Sequence, residues 1–264
     1  IEGLQTRAVL ALENILYVQE QEERAGLERE LALAASLQQQ LLPGRLPALA
    51  TYDLAAGTVP CREIGGDIYD CIPEGPSRMT LAIGDVSGKG VPAALLMANL
   101  QATFRAELVA GGGPREVITR VNRRLCALDS PARFVSFFCC QLDLERNRLA
   151  YTNAGHLQPI LVRSDGQVER LDRGGLILGI MEDADYEDDE VALLPGDLVV
   201  FFTDGVTERG APHELFGERD LIEVACRHRH LSAADLMGRI LEVLEHRTGL
   251  TPEDDTTLMV LKAL

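Results

Sequence analysis

The sequence predicts an α+β fold with antiparallel sheets, and three observations carry that prediction. Apolar runs of strand length come in groups instead of alternating one for one with helices. Helix-length stretches come in pairs between those groups. The first 42 residues differ from both, being dense in Leu, Ala, Glu and Gln with no proline before Pro43, a composition of good helix formers.

In chain order, Leu4, Ala8, Ala11, Ile15 and Val18, then Leu27, Leu31, Ala34 and Leu41, recur at three-four spacing. The acidic "EQEERAG" interrupts that stripe. One or two helices are expected, with a coiled-coil-like seam for a partner helix or, in the other reading, a face folded back on its own domain. Pro43, Gly44 and Pro47 in "LLPGRLP" end this segment, so the chain divides into a helical linker, 1–42, and a domain, 43–264. Strands are expected at 52–59, 64–72, 79–84, 134–142, 148–153, 158–163, 190–193, 198–203 and 257–262. One helix is expected after "GKGVP", with Pro92 in its first turn, and others near 114–128, 218–228 and 232–247. There is no internal repeat.

Composition narrows the function. The net charge of −16 and pI near 4.7 argue against nucleic-acid binding, which needs clustered Lys and Arg. Acidity is either a solvated surface or a gathering of carboxylates for cations. No apolar stretch reaches membrane-span length and no signal peptide precedes the domain. Six cysteines without a C-x-x-C pair read as buried thiols in a reducing, cytoplasmic setting. "CQLDLER" puts Cys140 six residues before Arg146, the spacing of cysteine-dependent phosphatases. It has no glycine to let backbone N–H groups wrap a phosphate, so a nucleophilic Cys140 is rejected.

The chemistry is expected where apolar runs meet aspartate. "EIGGDIYD" carries Asp67, "LAIGDVSG" Asp85, "LVVFFTDG" Asp204 and "EDDTTLMVL" Asp254 and Asp255. Any one is an ordinary turn. If two sheets pack so that these ends converge, the carboxylates crowd a site that repels itself unless hard divalent ions compensate. A nucleotide loop is a poor reading of "GDVSGKG": three residues, not four, separate Gly84 from Gly88, and Gly90 stands where the hydroxyl residue should be. No G-x-S-x-G supports Ser87 as a nucleophile. "CRHRH" (226–230) offers only Cys226 and His230 on one helical face, too few ligands for zinc. His156 in "NAGH" reads as structural.

In this order, "EIGGDIYD", "GDVSGKG", "NAGH", "TDGVTE" and "DDTT", preceded by "LQQQLLP", closely resemble the SpoIIE/RsbU branch of the metal-dependent (PPM) serine/threonine phosphatases. The match covers roughly residues 37–264. The resemblance implies a sandwich of two antiparallel β-sheets flanked by helices. It implies a centre of two Mn²⁺ or Mg²⁺ ions, or three, held by Asp67, a bridging Asp85 assisted by the Val86 carbonyl, Asp204 and Asp254. Asp255, where many relatives carry Asn, is secondary, and Arg62 would contact phosphate. Ser87 replaces a histidine that eukaryotic relatives offer as general acid. The implied reaction is attack of a metal-activated hydroxide on phosphoserine or phosphothreonine, without a covalent intermediate. The implied substrate is a STAS-domain anti-sigma-factor antagonist. A PAS- or GAF-like sensor would precede the linker, which the start at Ile1 fits, and the N-terminal helix would form a homodimer. Two other readings compete: a non-catalytic PPM-like module that binds a phosphoprotein or dimerises, and a metal-dependent phosphodiesterase acting on a small nucleotide. The four intact aspartates favour the phosphatase.

Overall fold

A computed structural model describes residues 2–61, 63–128, 134–210, 216–249 and 254–264. Its elements run α1 (Glu2–Leu41), β1 (Tyr52–Val59), β2 (Ile68–Pro73), β3 (Arg78–Val86), α2 (Val91–Val109), α3 (Pro114–Cys126), β4 (Val135–Asp143), β5 (Arg148–Ala154), β6 (Ile160–Val162), β7 (Val168–Arg170), β8 (Gly174–Gly175), β9 (Asp189–Ala192), β10 (Leu198–Phe202), α4 (Asp204–Thr207), α5 (Glu218–His228), α6 (Ala233–Thr248) and β11 (Thr256–Ala263).

The strands form two sheets. One has the order β1-β11-β10-β6-β7 and is antiparallel throughout. The other runs β2-β3-β4-β5-β8, with β9 also on β5; its single parallel pair joins β5 to β8. Side chains of the two inner faces meet in one core, where Phe138 and Tyr151 of the second sheet pack with Phe201 of the first. The Phe138 ring stacks on Tyr151 at 5.6 Å and tilts against Phe201 at 5.7 Å. Helices α2 and α3 cover the outer face of the second sheet, and α5 and α6 that of the first.

This layering explains why several strands read as unbroken apolar runs. Successive side chains of a strand face opposite ways. On β4, Phe138, Cys140 and Leu142 point between the sheets, while Val135, Phe137 and Cys139 point to α2 and α3. On β10, Val199 and Phe201 point inward and Leu198, Val200 and Phe202 toward α5 and α6. A strand apolar on both faces loses its alternation. Cys140 is fully buried on β4 and its thiol is pushed far up by burial, so it is no nucleophile. All six cysteines are free; Cys61, Cys126 and Cys226 are only partly buried, contrary to the expectation of six buried thiols.

Differences from the sequence reading have local causes. Helix α1 is continuous through "EQEERAG", because acidic and basic residues are themselves helix formers and Arg24 pairs with Glu28 one turn on. The strand expected from residue 64 starts at Ile68, since Gly65 and Gly66 belong to a loop. Helix α5 ends at His228, so His230 lies past the helix and shares no helical face with Cys226. The short β7, β8 and α4 carry too little pattern to be foreseen. Among the described residues, no helix is long and apolar enough to cross a membrane.

Where α1 ends, it docks. Gln101 Nε2 on α2 donates to the Leu41 carbonyl at 2.8 Å. Beside it, Arg105 forms an ion pair with the buried Asp70 at 2.7 Å. Further toward the N-terminus, Leu16, Tyr17, Leu27 and Leu33 of α1 are exposed.

Candidate metal centre

Strand register alone gathers the five aspartates. Ile68 pairs with Gly84, so Asp67 and Asp85 are neighbours at one end of the second sheet. Phe202 pairs with Leu258, and the Thr203 N–H donates to the Thr257 carbonyl at 3.1 Å, which brings Asp204 beside Asp254 and Asp255. Two threonines then tie the sheets together. Thr203 Oγ1 and Thr257 Oγ1 both donate to Asp67 Oδ2, at 2.8 and 2.6 Å.

Glycines stand beside these aspartates because backbones approach there, not because the chain turns. A Cβ at Gly205 would overlap the Asp255 carbonyl oxygen, and one at Gly65 would overlap the Asp255 carboxylate. At Gly66 a Cβ would lie 2.9 Å from the Val86 carbonyl oxygen, which sets that carbonyl against the loop leading to Asp67. Asp255 is buried and organises that loop, accepting from the Cys61 N–H at 2.9 Å and the Gly66 N–H at 2.6 Å. Asp254 is half-exposed and pairs with the Lys89 ammonium at 2.7 Å. The candidate Arg62 lies outside the described residues.

The cluster resists ionisation. Burial, then the Asp85 charge, push the Asp67 carboxyl well above the usual range, and the two threonine bonds only partly offset this. Asp85 is raised to about 7, by burial first and then by Asp204, Asp254 and Asp255. Asp204 is raised too, by burial and then Asp254. Carboxylates held this close ionise together only when a cation shares the site. The donors are carboxylate and carbonyl oxygens, which suit hard divalent ions. A ligand atom of Cys61 lies within 4.8 Å of those of Asp254 and Asp255, and burial, then Asp255, raise its thiol. The cluster opens on two recesses. One, about 240 Å³, is lined by Asp67, Asp255, Tyr69 and Gln38. The other, about 180 Å³, is lined by Asp204, Asp254, Lys89 and Arg209.

Neighbouring residues are inert. The Ser87 hydroxyl accepts from the Phe134 N–H at 3.1 Å. His156 is buried with Nδ1 2.8 Å from Ser136 Oγ, and burial drops its pKa to about 4, which fits a structural role. The sequence reading missed Thr203, Thr257, Lys89 and Gln38 as neighbours of the site. For the threonines a signal existed: hydroxyl residues beside aspartate at the ends of otherwise apolar strands.

Two packed sheets between helix layers, with acidic strand ends gathered at one edge, define a PP2C-type serine/threonine phosphatase domain. Solved structures match that architecture. The SiaA-PP2C domain of Pseudomonas aeruginosa superposes with a TM-score of 0.79 at 21% identity, over 90% of this chain and 97% of that one. The RsbU and RsbW domains of Rv1364c from Mycobacterium tuberculosis give 0.73 at 27% identity, over 85% of this chain and 63% of that one. The family model of stage II sporulation protein E (SpoIIE) matches residues 75–264, and the chain belongs to that family. Among its relatives is the phosphoserine phosphatase RsbU of Bacillus subtilis, 31% identical over 238 residues, or 89% of this chain and 70% of RsbU. Other curated relatives are covered less fully, 59% of the length of the phosphoserine phosphatase RsbP from the same organism.

Proposed function

We propose that this chain is a metal-dependent protein phosphatase acting on phosphoserine or phosphothreonine of a folded partner, a STAS-domain anti-sigma-factor antagonist. The observation that carries the reading is the convergence of Asp67, Asp85, Asp204 and Asp254 on one edge of the sandwich, with the burial and mutual repulsion that raise three of them. Those four residues, with the Val86 carbonyl and a secondary Asp255, would hold two Mn²⁺ or Mg²⁺ ions. When bound, such ions supply Lewis acidity to water and to phosphoryl oxygens.

The chain's own residues then have defined tasks. Thr203 and Thr257 fix one oxygen of Asp67, so this ligand is held before anything binds. Asp255 holds Cys61 and Gly66 in place through their backbone amides. Lys89, paired with Asp254, sets a cation at the rim of a site whose carboxylates repel a phosphate dianion. Neither Ser87, whose alcohol holds its proton at neutral pH, nor the neutral, buried His156 is placed to protonate the leaving alkoxide. The exposed apolar side chains of α1 suit pairing with the same helix of a second copy, making residues 1–42 a dimerising linker.

Hydrolysis of p-nitrophenyl phosphate and a phosphoserine peptide, with Mn²⁺, with EDTA and with Asp85→Asn, tests the reading. Metal-dependent turnover lost on substitution supports it. Metal binding without turnover on either substrate would turn the reading toward a binding module.

A further inference from the structure

The loop after β8 is held firmly yet shows its apolar side chains to water. Leu178 closes a two-bond antiparallel bridge with Val135, at 3.0 and 3.1 Å. From the other side, the fully buried Asn122 of α3 uses both ends of its amide on this loop. Its Oδ1 accepts from the Gly179 N–H at 2.9 Å, and its Nδ2 donates to the Met181 carbonyl at 2.8 Å and the Glu182 carbonyl at 3.3 Å. A loop pinned this way could have turned its apolar residues in. Instead Ile180 is 54% exposed, Met181 53% and Leu176 40%. Phe134, across the bridge from this loop, is 39% exposed. Grouped exposed apolar side chains on a rigid frame mark an interaction surface, and pre-ordering lowers the entropic cost of using one.

Two further observations say what covers it. Phe134 ties the patch to the candidate centre: its carbonyl accepts from the Ser87 N–H at 3.0 Å, its N–H donates to Ser87 Oγ at 3.1 Å, and Ser87 is two residues from Asp85. The chain beyond the patch is acidic, with seven carboxylates among residues 182–190. Arginines pair with Asp185, Glu187 and Glu190. Among the described residues, none pairs with Glu182, Asp183 or Asp188.

We infer that Phe134, Leu176, Ile180 and Met181 form the docking platform for the protein substrate, seating an apolar patch beside its phosphorylated residue while the acidic segment 182–190 receives Lys or Arg next to that patch. This rests on the phosphatase reading and adds the substrate's chemistry: apolar and basic around the phosphate, not acidic. A few apolar anchors at the rim of a catalytic site suffice to set selectivity among phosphoproteins.

The test uses two phosphoserine peptides of equal length, one with leucine and lysine flanking the phosphate and one with serine and glutamate instead. Affinity is read by fluorescence anisotropy on the Asp85→Asn chain, so that turnover does not enter. The leucine/lysine peptide should bind about tenfold more tightly, and Ile180→Ser with Met181→Ser should cut that preference to about the part that lysine supplies, roughly threefold. In the otherwise native chain the same pair of substitutions should leave p-nitrophenyl phosphate turnover within about twofold. Equal affinity for both peptides, or a preference undiminished by the substitutions, overturns the platform. So does a dimer that dissociates on these substitutions, by sedimentation velocity, without any change in peptide affinity; a second copy would then be the occupant. Absence of p-nitrophenyl phosphate turnover would instead count against the phosphatase reading, while the peptide affinities still judge the surface.

Discussion

The side-chain amide of Gln38 closes two hydrogen bonds on Gly65, donating to its carbonyl at 2.7 Å and accepting from its N–H at 3.1 Å. The last turns of α1 are thereby fastened to the loop that leads into Asp67. On the far side of that loop, Asp255 grips Gly66 and Cys61, so the segment is held between a helix and a carboxylate.

Gln38→Ala should therefore loosen Asp67 without touching it. Losing two hydrogen bonds of about 1 kcal/mol each should raise the Mn²⁺ concentration for half-maximal activity about tenfold. The rate at saturating Mn²⁺ should stay near that of the unaltered chain. Calorimetric titration of Mn²⁺ checks this without reference to turnover. A fall in saturated rate with unaltered metal affinity would count against it.

Without metal, stability should fall as pH rises. Folded Asp85 keeps its proton to about pH 7, whereas the unfolded chain loses it near ~4. Between those values the folded state binds more protons, so raising pH favours unfolding. In EDTA the melting temperature at pH 8 should lie below that at pH 5 by on the order of 5 °C. Saturating Mg²⁺ should remove the difference, and Asp85→Asn should reduce it, the remainder coming from Asp67 and Asp204. A metal-free melting temperature that climbs over this range would contradict the sign.

Gly205→Ala should damage the centre although alanine is chemically neutral. Its Cβ would collide with the Asp255 carbonyl, forcing Asp204 away from Asp254. Activity should drop about a hundredfold or more, with weaker metal binding by titration. Near-normal metal affinity would mean the strands can part to admit a methyl group.

Phe138→Ala probes the core apart from the site. Phe138 packs against Tyr151 and Phe201 between the sheets, and its removal should cost about 3–5 kcal/mol in denaturant titrations. Metal affinity measured well below the unfolding midpoint should be unchanged.

The sequence made the strands legible where apolar content was dense. "LVVFF" and "VSFFCC" announce β10 and β4 because both faces are buried, and Pro92 marks the first turn of α2. β8 was invisible, since Gly174 and Gly175 have no side chains to carry a pattern and their pairing is set by Asn153 and Ala154 on β5. At the site, the aspartates were visible one by one, but their meeting depends on the register of Ile68 against Gly84 and of Phe202 against Leu258, which no local signal encodes. Gly65, Gly66 and Gly205 looked like turn formers, and their actual reason, the nearness of another strand, is a long-range fact. Gln38 lay inside a helical stripe in which one glutamine looks like the next.

Strand β11 comes last in chain order among the described strands, yet it lies inside its sheet, between β1 and β10. During synthesis β1 must therefore wait for a partner encoded some two hundred residues later in a chain of 264, the kind of distant pairing that slows folding. Asp254 and Asp255 arrive with that same closing segment. A nascent chain that has not reached residue 254, or one clipped before it, thus lacks the centre of a sheet and part of the acidic cluster together. Synthesis of β11 and assembly of the centre become a single event, so chains that stop before residue 254 should be catalytically silent.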